Sequence, residues 1–375
     1  FFRIYLFIIR VSLQNICYYQ VLLNIMTNFL VDSDKKLLNL ASKLKDVNEI
    51  GLDTEFIRES TYRPILALIQ VSLPNGEIYL IDPIVINRRD LISNIISNAS
   101  LIKIIHSSKQ DIEALYSYTN TYPVNIFDTQ IASNFISENS NVGYSTLVKK
   151  LCECDIKEGS WRTNWLERPL STKKVEYAAD DVRYLIEMKS LLIKRLKSLD
   201  RFSWFKEEQL NELKKSNIII EPNEAWKKIN YPLHFSTQEL ALLKNIACWR
   251  EELAIKYDVP KRWIFSDSSA TKLMLKNNKK TMDVVNNIKQ QLTDSEMSKL
   301  MKILSLKKVI KNKNLSPKQD VEKKCNELLG YVSDEFNIDS TIIATKRDLE
   351  IFTNTNSEAR FMKGWRYQIF GKLVQ

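Results

Sequence analysis

Asp53 and Glu55 stand one residue apart at the end of the apolar run Ile50-Gly51-Leu52. On a β-strand, residues i and i+2 project from the same face, so this spacing sets two carboxylates side by side. Adjacent carboxylates repel, and a cation between them relieves the repulsion. Hard oxygen donors of this kind suit Mg²⁺ or Mn²⁺. An exposed strand end with two solvated acids is the plainer reading of the pair alone. Two further signals follow it. Asp111, in His106-Ser107-Ser108-Lys109-Gln110-Asp111, falls in the first turn of an expected helix after a buried strand. Tyr177 and Asp181 are spaced i, i+4 on a later helix and face one way, whereas Asp180 is turned about 100° aside. Each signal has an ordinary explanation, since an acid near a helix N-terminus is favourable in itself.

The elements that must carry these residues are readable from periodicity. Ser33-Asp34 caps an expected helix running to about Leu44, with Leu37, Leu38, Leu40 and Leu44 as its apolar face. A strand follows at Glu49–Thr54. The apolar segments 64–73 and 77–81 flank Pro74-Asn75-Gly76, a strong turn signal, so the first three strands form an antiparallel meander. Helices are expected at 91–97 and 110–118, strands at 101–106 and 123–128, and a helix from Thr129. This alternation predicts parallel additions to the meander: a mixed sheet with helices around it. From Glu224 the pattern is all-helical, with Ser236 as a cap before a helix over 239–257 and another helix over 268–275. The class is therefore α/β followed by all-α.

The 375 residues suffice for two or three domains. An excess of 55 Lys+Arg over 45 Asp+Glu, a net charge of +10, favours a polyanionic partner. Five scattered cysteines argue against a disulfide framework and for a reducing compartment, the cytoplasm. With His106 and His234 as the only histidines, histidine-centred catalysis has little material. Apolar runs of membrane-spanning length are absent, and no membrane partner is expected. Residues 1–25 are apolar but interrupted by Gln14, Asn15, Gln20 and Asn24, and Met26 precedes the first expected domain. They read as an over-extended reading frame, with an anchor or signal as the other reading.

The order D-x-E on a strand, Asp after a later strand and Tyr-x-x-x-Asp on a subsequent helix resembles the DEDD exonuclease superfamily, tyrosine subclass. The resemblance narrows with Leu52-Asp53-Thr54-Glu55-Phe56, Thr61-Tyr62-Arg63-Pro64, Leu68-Ile69-Gln70-Val71, Ile81-Asp82-Pro83, Phe127-Asp128-Thr129-Gln130, Tyr177-Ala178-Ala179-Asp180-Asp181-Val182 and the stretch from Trp161 to Leu170. Together these resemble the ribonuclease D family, from about residue 26 to the end. Asn164 departs from the Asp usual there. The resemblance implies a ribonuclease-H-like sheet of five to six strands over 26–215, then two small HRDC-like helical domains at 224–310 and 318–375. It implies a 3′→5′ exoribonuclease that trims tRNA precursors, releases 5′-mononucleotides and uses two Mg²⁺ or Mn²⁺ ions. By the same resemblance Asp53 bridges both ions, Glu55 and Asp181 complete the first site, Asp111 holds the second, and Tyr177 orients the attacking water. His106 and Asp128 are expected to be structural.

The remaining expectations concern RNA contact. Trp161 and Trp165 either stack on substrate or pack, and Arg162 lies between them in sequence. Lys272, Lys276, Lys279 and Lys280, and further on Lys307, Lys308, Lys311 and Lys313, form either a phosphate-tracking face or a solvated one. The expected partners are a tRNA precursor 3′ end and single-stranded RNA, with the protein a monomer. Two other readings stand beside this one: a DNA 3′→5′ exonuclease of the same superfamily, and a nucleic-acid-binding protein with an inactive site.

Overall fold

The computed structural model describes residues 29–137, 139–156, 163–214, 219–231, 235–273, 292–305, 319–355 and 359–375. The expectations for residues 1–25, Trp161, Arg162, His234, Lys276, Lys279, Lys280, Lys307, Lys308, Lys311 and Lys313 lie outside the described residues. The chain divides into two compact units. One takes the chain up to Ile57, then Ile65–Gln130 and Gly143–Lys194; the other takes Arg58–Pro64, Ile131–Val142 and Arg195–Gln375.

The first unit is built on a six-stranded mixed sheet of β1 (Leu30–Val31), β2 (Glu49–Ile57), β3 (Ile65–Ser72), β4 (Ile78–Ile81), β5 (Ile102–Ile105) and β6 (Ile126–Asp128), in the order β1-β4-β3-β2-β5-β6. β2, β3 and β4 form the expected antiparallel meander, and β5 and β6 add in parallel. The β3–β4 turn closes through Gly76, whose φ of 87° lies in the left-handed region that glycine enters without a side-chain clash. β1 pairs parallel with β4 at the edge. Periodicity did not reveal it, because two residues are too few to show alternation.

β2 is central, bonded to β3 on one side and β5 on the other, which buries Ile50 and Leu52 completely. Ser33 caps α1 (Asp34–Lys43), which buries Leu37 and Leu40, with Leu44 buried just beyond it. Leu38 is 44% exposed: a 3.6-residue period carries it off the stripe formed by the other three. Around the sheet lie α2 (Arg89–Ser97), α3 (Lys109–Thr119), α4 (Thr129–Ser133), α5 (Tyr144–Cys152), α6 (Thr172–Arg183) and α7 (Leu185–Ser198).

The second unit is helical. Its longest continuous part runs from Arg195, within α7, to Gln375. α8 (Phe202–Glu212) is tied to the C-terminal segment: Arg366 donates to Glu208 Oε1 at 2.6 Å, and Trp204 stacks on Trp365 at 5.3 Å. α9 (Thr237–Lys256) opens with a capping box between Ser236 and Glu239. Its Leu243, Ile246, Trp249 and Leu253 pack with Ile264, Leu273 and Leu300 from α10 (Lys261–Ile264), α11 (Asp267–Leu273) and α12 (Asp294–Ser305). α13 (Gln319–Phe336), α14 (Ser340–Ile343) and α15 (Lys346–Thr355) follow. Among the described residues, no helix is long and apolar enough to cross a membrane.

Candidate active site

Strand alternation brings Asp53 and Glu55 to one face of β2, and α6 delivers Asp181 to them. Carboxylate oxygens of Asp53, Glu55 and Asp181 lie within 4.8 Å of one another. Asp111, in the first turn of α3 and 6% exposed, stands outside that trio. It is fixed by Thr54, whose Oγ1 donates to Asp111 Oδ1 at 2.6 Å. Thr54 reads in sequence as the spacer of the D-x-E pair, and nothing in the pattern marks it as a partner for a residue 57 positions on. Asp128 accepts from the Ser107, Ser108 and Gln130 amides, tying the start of α3 to the end of β6. It is a structural anchor.

The electrostatics are those of a negative cluster held out of water. Burial, then Asp111, Asp181 and Glu55, push the Asp53 carboxyl well above the ordinary carboxylate range. Glu55 is pushed up to about 9 by burial, then by Asp181 and Asp111. Asp111 and Asp181 are raised as well, burial again leading; Thr54 partly offsets the effect on Asp111, and Asp180 and Asp111 add to it on Asp181. Convergent oxygen donors whose mutual repulsion makes ionisation costly form a donor set suited to hard divalent cations.

Asp53, Glu55 and Asp181 open into a cleft of about 220 Å³ lined also by Thr54, His106, Tyr144 and Tyr177. Burial and then Asp181, Glu55 and Asp53 raise the Tyr177 phenol above its ordinary value, so it stays protonated and able to donate. Its ring rests 6.0 Å from that of Trp165. Trp165 itself is 2% exposed, enclosed by Ala67, Leu68, Leu80 and Ala178. Of its two expected roles it packs, because no face of the indole is left open to a base. His106 lines the cleft at a strand end, with Nδ1 2.9 Å from Thr129 Oγ1. Tyr144 belonged to none of the motifs that marked the site, and only its position on the cleft wall reveals it. Asp180 turns away and pairs with Arg183 at 2.8 Å. Lys272 is exposed on α11 in the second unit.

This sheet and this carboxylate set define a class, and comparison with known proteins agrees: a family model described as 3′-5′ exonuclease matches residues 28–197. Ribonuclease D of Bartonella henselae is 32% identical over 351 residues, covering 88% of this chain and 85% of that protein. Ribonuclease D of Zymomonas mobilis is 28% identical, covering 92% of each. The crystal structure of Escherichia coli RNase D, described as an exoribonuclease involved in structured RNA processing, superposes with a TM-score of 0.76 at 23% identity, covering 92% of this chain and 96% of that one. The chain belongs to the ribonuclease D family. It is a 3′→5′ exoribonuclease, a hydrolase.

Proposed function

We propose that the protein trims 3′ extensions of tRNA precursors, releasing 5′-mononucleotides by hydrolysis assisted by two divalent ions, Mg²⁺ or Mn²⁺. The observation that carries this reading is the convergence of Asp53, Glu55 and Asp181 within 4.8 Å, with Asp111 alongside. Asp53, Glu55 and Asp181 would hold one ion, and Asp53 and Asp111 the second. Bound ions supply Lewis-acid activation of water and stabilise charge on the departing 3′-oxygen. The chain's own residues do the rest. Tyr177, held protonated, donates a hydrogen bond that orients the attacking water rather than removing its proton. Thr54 keeps Asp111 from turning away from the cluster. The processing of structured RNA by the E. coli relative supports the choice of substrate.

The deciding measurement offers the protein matched 3′-extended tRNA precursor, single-stranded RNA and single-stranded DNA with Mg²⁺ and then Mn²⁺. Stepwise shortening of the tRNA 3′ extension to a defined end, with mononucleotide products, is the expected result. Preferential cutting of DNA would favour the DNA exonuclease reading, and tight binding without products a binding role.

Two substitutions on α6 test its register. Tyr177→Phe is expected to lower kcat by about 100-fold, the low end for a positioned acid–base group, with little change in metal affinity. Asp180→Ala keeps most of the activity, because that carboxylate is engaged with Arg183 outside the cluster. Single-turnover rates of both variants check this. A dead Asp180→Ala enzyme beside an unimpaired Asp181→Ala one would reverse the assignment.

A further inference from the structure

Asp181 sits at a joint. α6 ends at Arg183 and α7 begins at Leu185, with Tyr184 between them. In an uninterrupted helix the Tyr184 amide would bond to the Asp180 carbonyl. Here the Tyr144 hydroxyl stands in that rung: it donates to Asp180 O at 2.8 Å and accepts from Tyr184 N at 3.3 Å. A second hydroxyl catches a second carbonyl, Ser72 Oγ donating to Val182 O at 2.8 Å. Asp181 is the residue between the two captured carbonyls. Side chains inserted into a helical ladder are a recognised cause of kinks, and here the helix resumes at once, with Met188 N bonded to Tyr184 O at 2.8 Å.

The joint also closes directly on the strand that carries the other two acids. A Cβ at Gly51 would fall 2.2 Å from Ser72 Oγ and 3.1 Å from both Val182 O and Leu185 Cβ. Glycine at 51 therefore lets the joint approach β2 two residues before Asp53. Tyr144 reaches it from α5 while its ring lines the cleft and meets His106 edge-on at 5.7 Å. Three elements, β2, β3 and α5, thus converge on one turn of helix, and that turn presents Asp181.

We propose that Tyr144 and Ser72 are positioning residues for Asp181, their hydroxyls holding the α6–α7 joint so that this carboxylate meets Asp53 and Glu55. The proposal rests on the reading of Asp181 as a metal ligand. Groups that orient a ligand from behind contribute about 10- to 100-fold to metal affinity. Tyr144→Phe keeps the ring and removes only the inserted hydroxyl, and Ser72→Ala removes the other.

The test measures Mn²⁺ binding by electron paramagnetic resonance on the full-length protein, with thermal midpoints and turnover of a 3′-extended RNA oligonucleotide alongside. Tyr144→Phe is expected to weaken Mn²⁺ binding by about tenfold, and Ser72→Ala to act in the same direction. At fixed metal kcat falls while KM for the oligonucleotide stays unchanged, and added Mn²⁺ restores the rate. If both variants bind Mn²⁺ as wild type does, or lose only thermal stability, the hydroxyls merely pack and the proposal is overturned. Should Tyr144→Phe not fold, Ser72→Ala decides by the same criteria. Asp181→Ala separates the two levels: unaltered Mn²⁺ binding there refutes the ligand assignment itself, whereas its loss beside a wild-type-like Tyr144→Phe refutes only the joint.

Discussion

Asp53→Asn is expected to stop RNA trimming and, in the same protein, to raise the thermal midpoint measured in EDTA. The activity loss follows from removing the acid common to both proposed ion sites, and should reach about a thousandfold, a rise of about 4 kcal/mol in the barrier. The gain in stability follows from the burial of the Asp53 carboxylate and then its repulsion by Asp111, Asp181 and Glu55. A carboxyl whose folded-state pKa is raised favours folding most below the ordinary carboxylate pKa. That contribution fades as pH climbs towards the raised value, because the unfolded chain ionises first. For Glu55 the window runs from its ordinary 4.5 to about 9. Metal-free wild type should therefore lose stability between these limits, and Asp53→Asn should lose less of it. A relief of about 1–3 kcal/mol corresponds to a midpoint several degrees higher. Mg²⁺ or Mn²⁺ at about 1,000 times its Kd reverses the ranking, since it adds about 4.1 kcal/mol to the wild type alone. Calorimetry across that pH range, with EDTA and with metal, checks the sign. A variant no more stable than wild type in EDTA would refute a destabilising Asp53 carboxylate.

Arg168→Ala is expected to be a costly truncation away from the acids. The guanidinium donates to both oxygens of Asp82, at 2.6 and 2.9 Å, and to the carbonyls of Ala67, Trp165 and Glu167 at 2.7–2.9 Å. Asp82 is 4% exposed and also accepts from the Ile84 amide. Removing the arginine leaves a buried carboxylate without its cation, which costs about 3–5 kcal/mol. Arg168→Lys should recover little, because an ammonium cannot span both carboxylate oxygens and reach three carbonyls. Urea unfolding of the two variants, with Asp82→Ala and the double variant to complete a cycle, measures the coupling. A loss under about 1 kcal/mol would place this pair with ordinary surface ion pairs. Because Arg168 holds the Trp165 carbonyl and Trp165 supports the Tyr177 ring, a slower rate in the surviving folded fraction is expected as well.

Much of this was legible in the residues alone, wherever the determinant is local. The i, i+2 spacing of Asp53 and Glu55 puts them on one face of any strand. The i, i+4 spacing of Tyr177 and Asp181 does the same on any helix. Ser33 and Ser236 announce helix starts, and Pro74-Asn75-Gly76 a hairpin, because caps and turns are decided within four residues. The order of these signals sufficed for the family. Tertiary structure decided what depends on residues far apart in the chain. It buried Trp165, which composition could equally have placed on the surface. It paired Arg168 with Asp82 and Thr54 with Asp111, contacts that no periodicity encodes. It interrupted the helix that carries Tyr177 and Asp181 at Tyr184, where hydroxyls from residues 72 and 144 take up backbone carbonyls. Local sequence sets which way a side chain faces on its own element; only packing sets which distant group it faces.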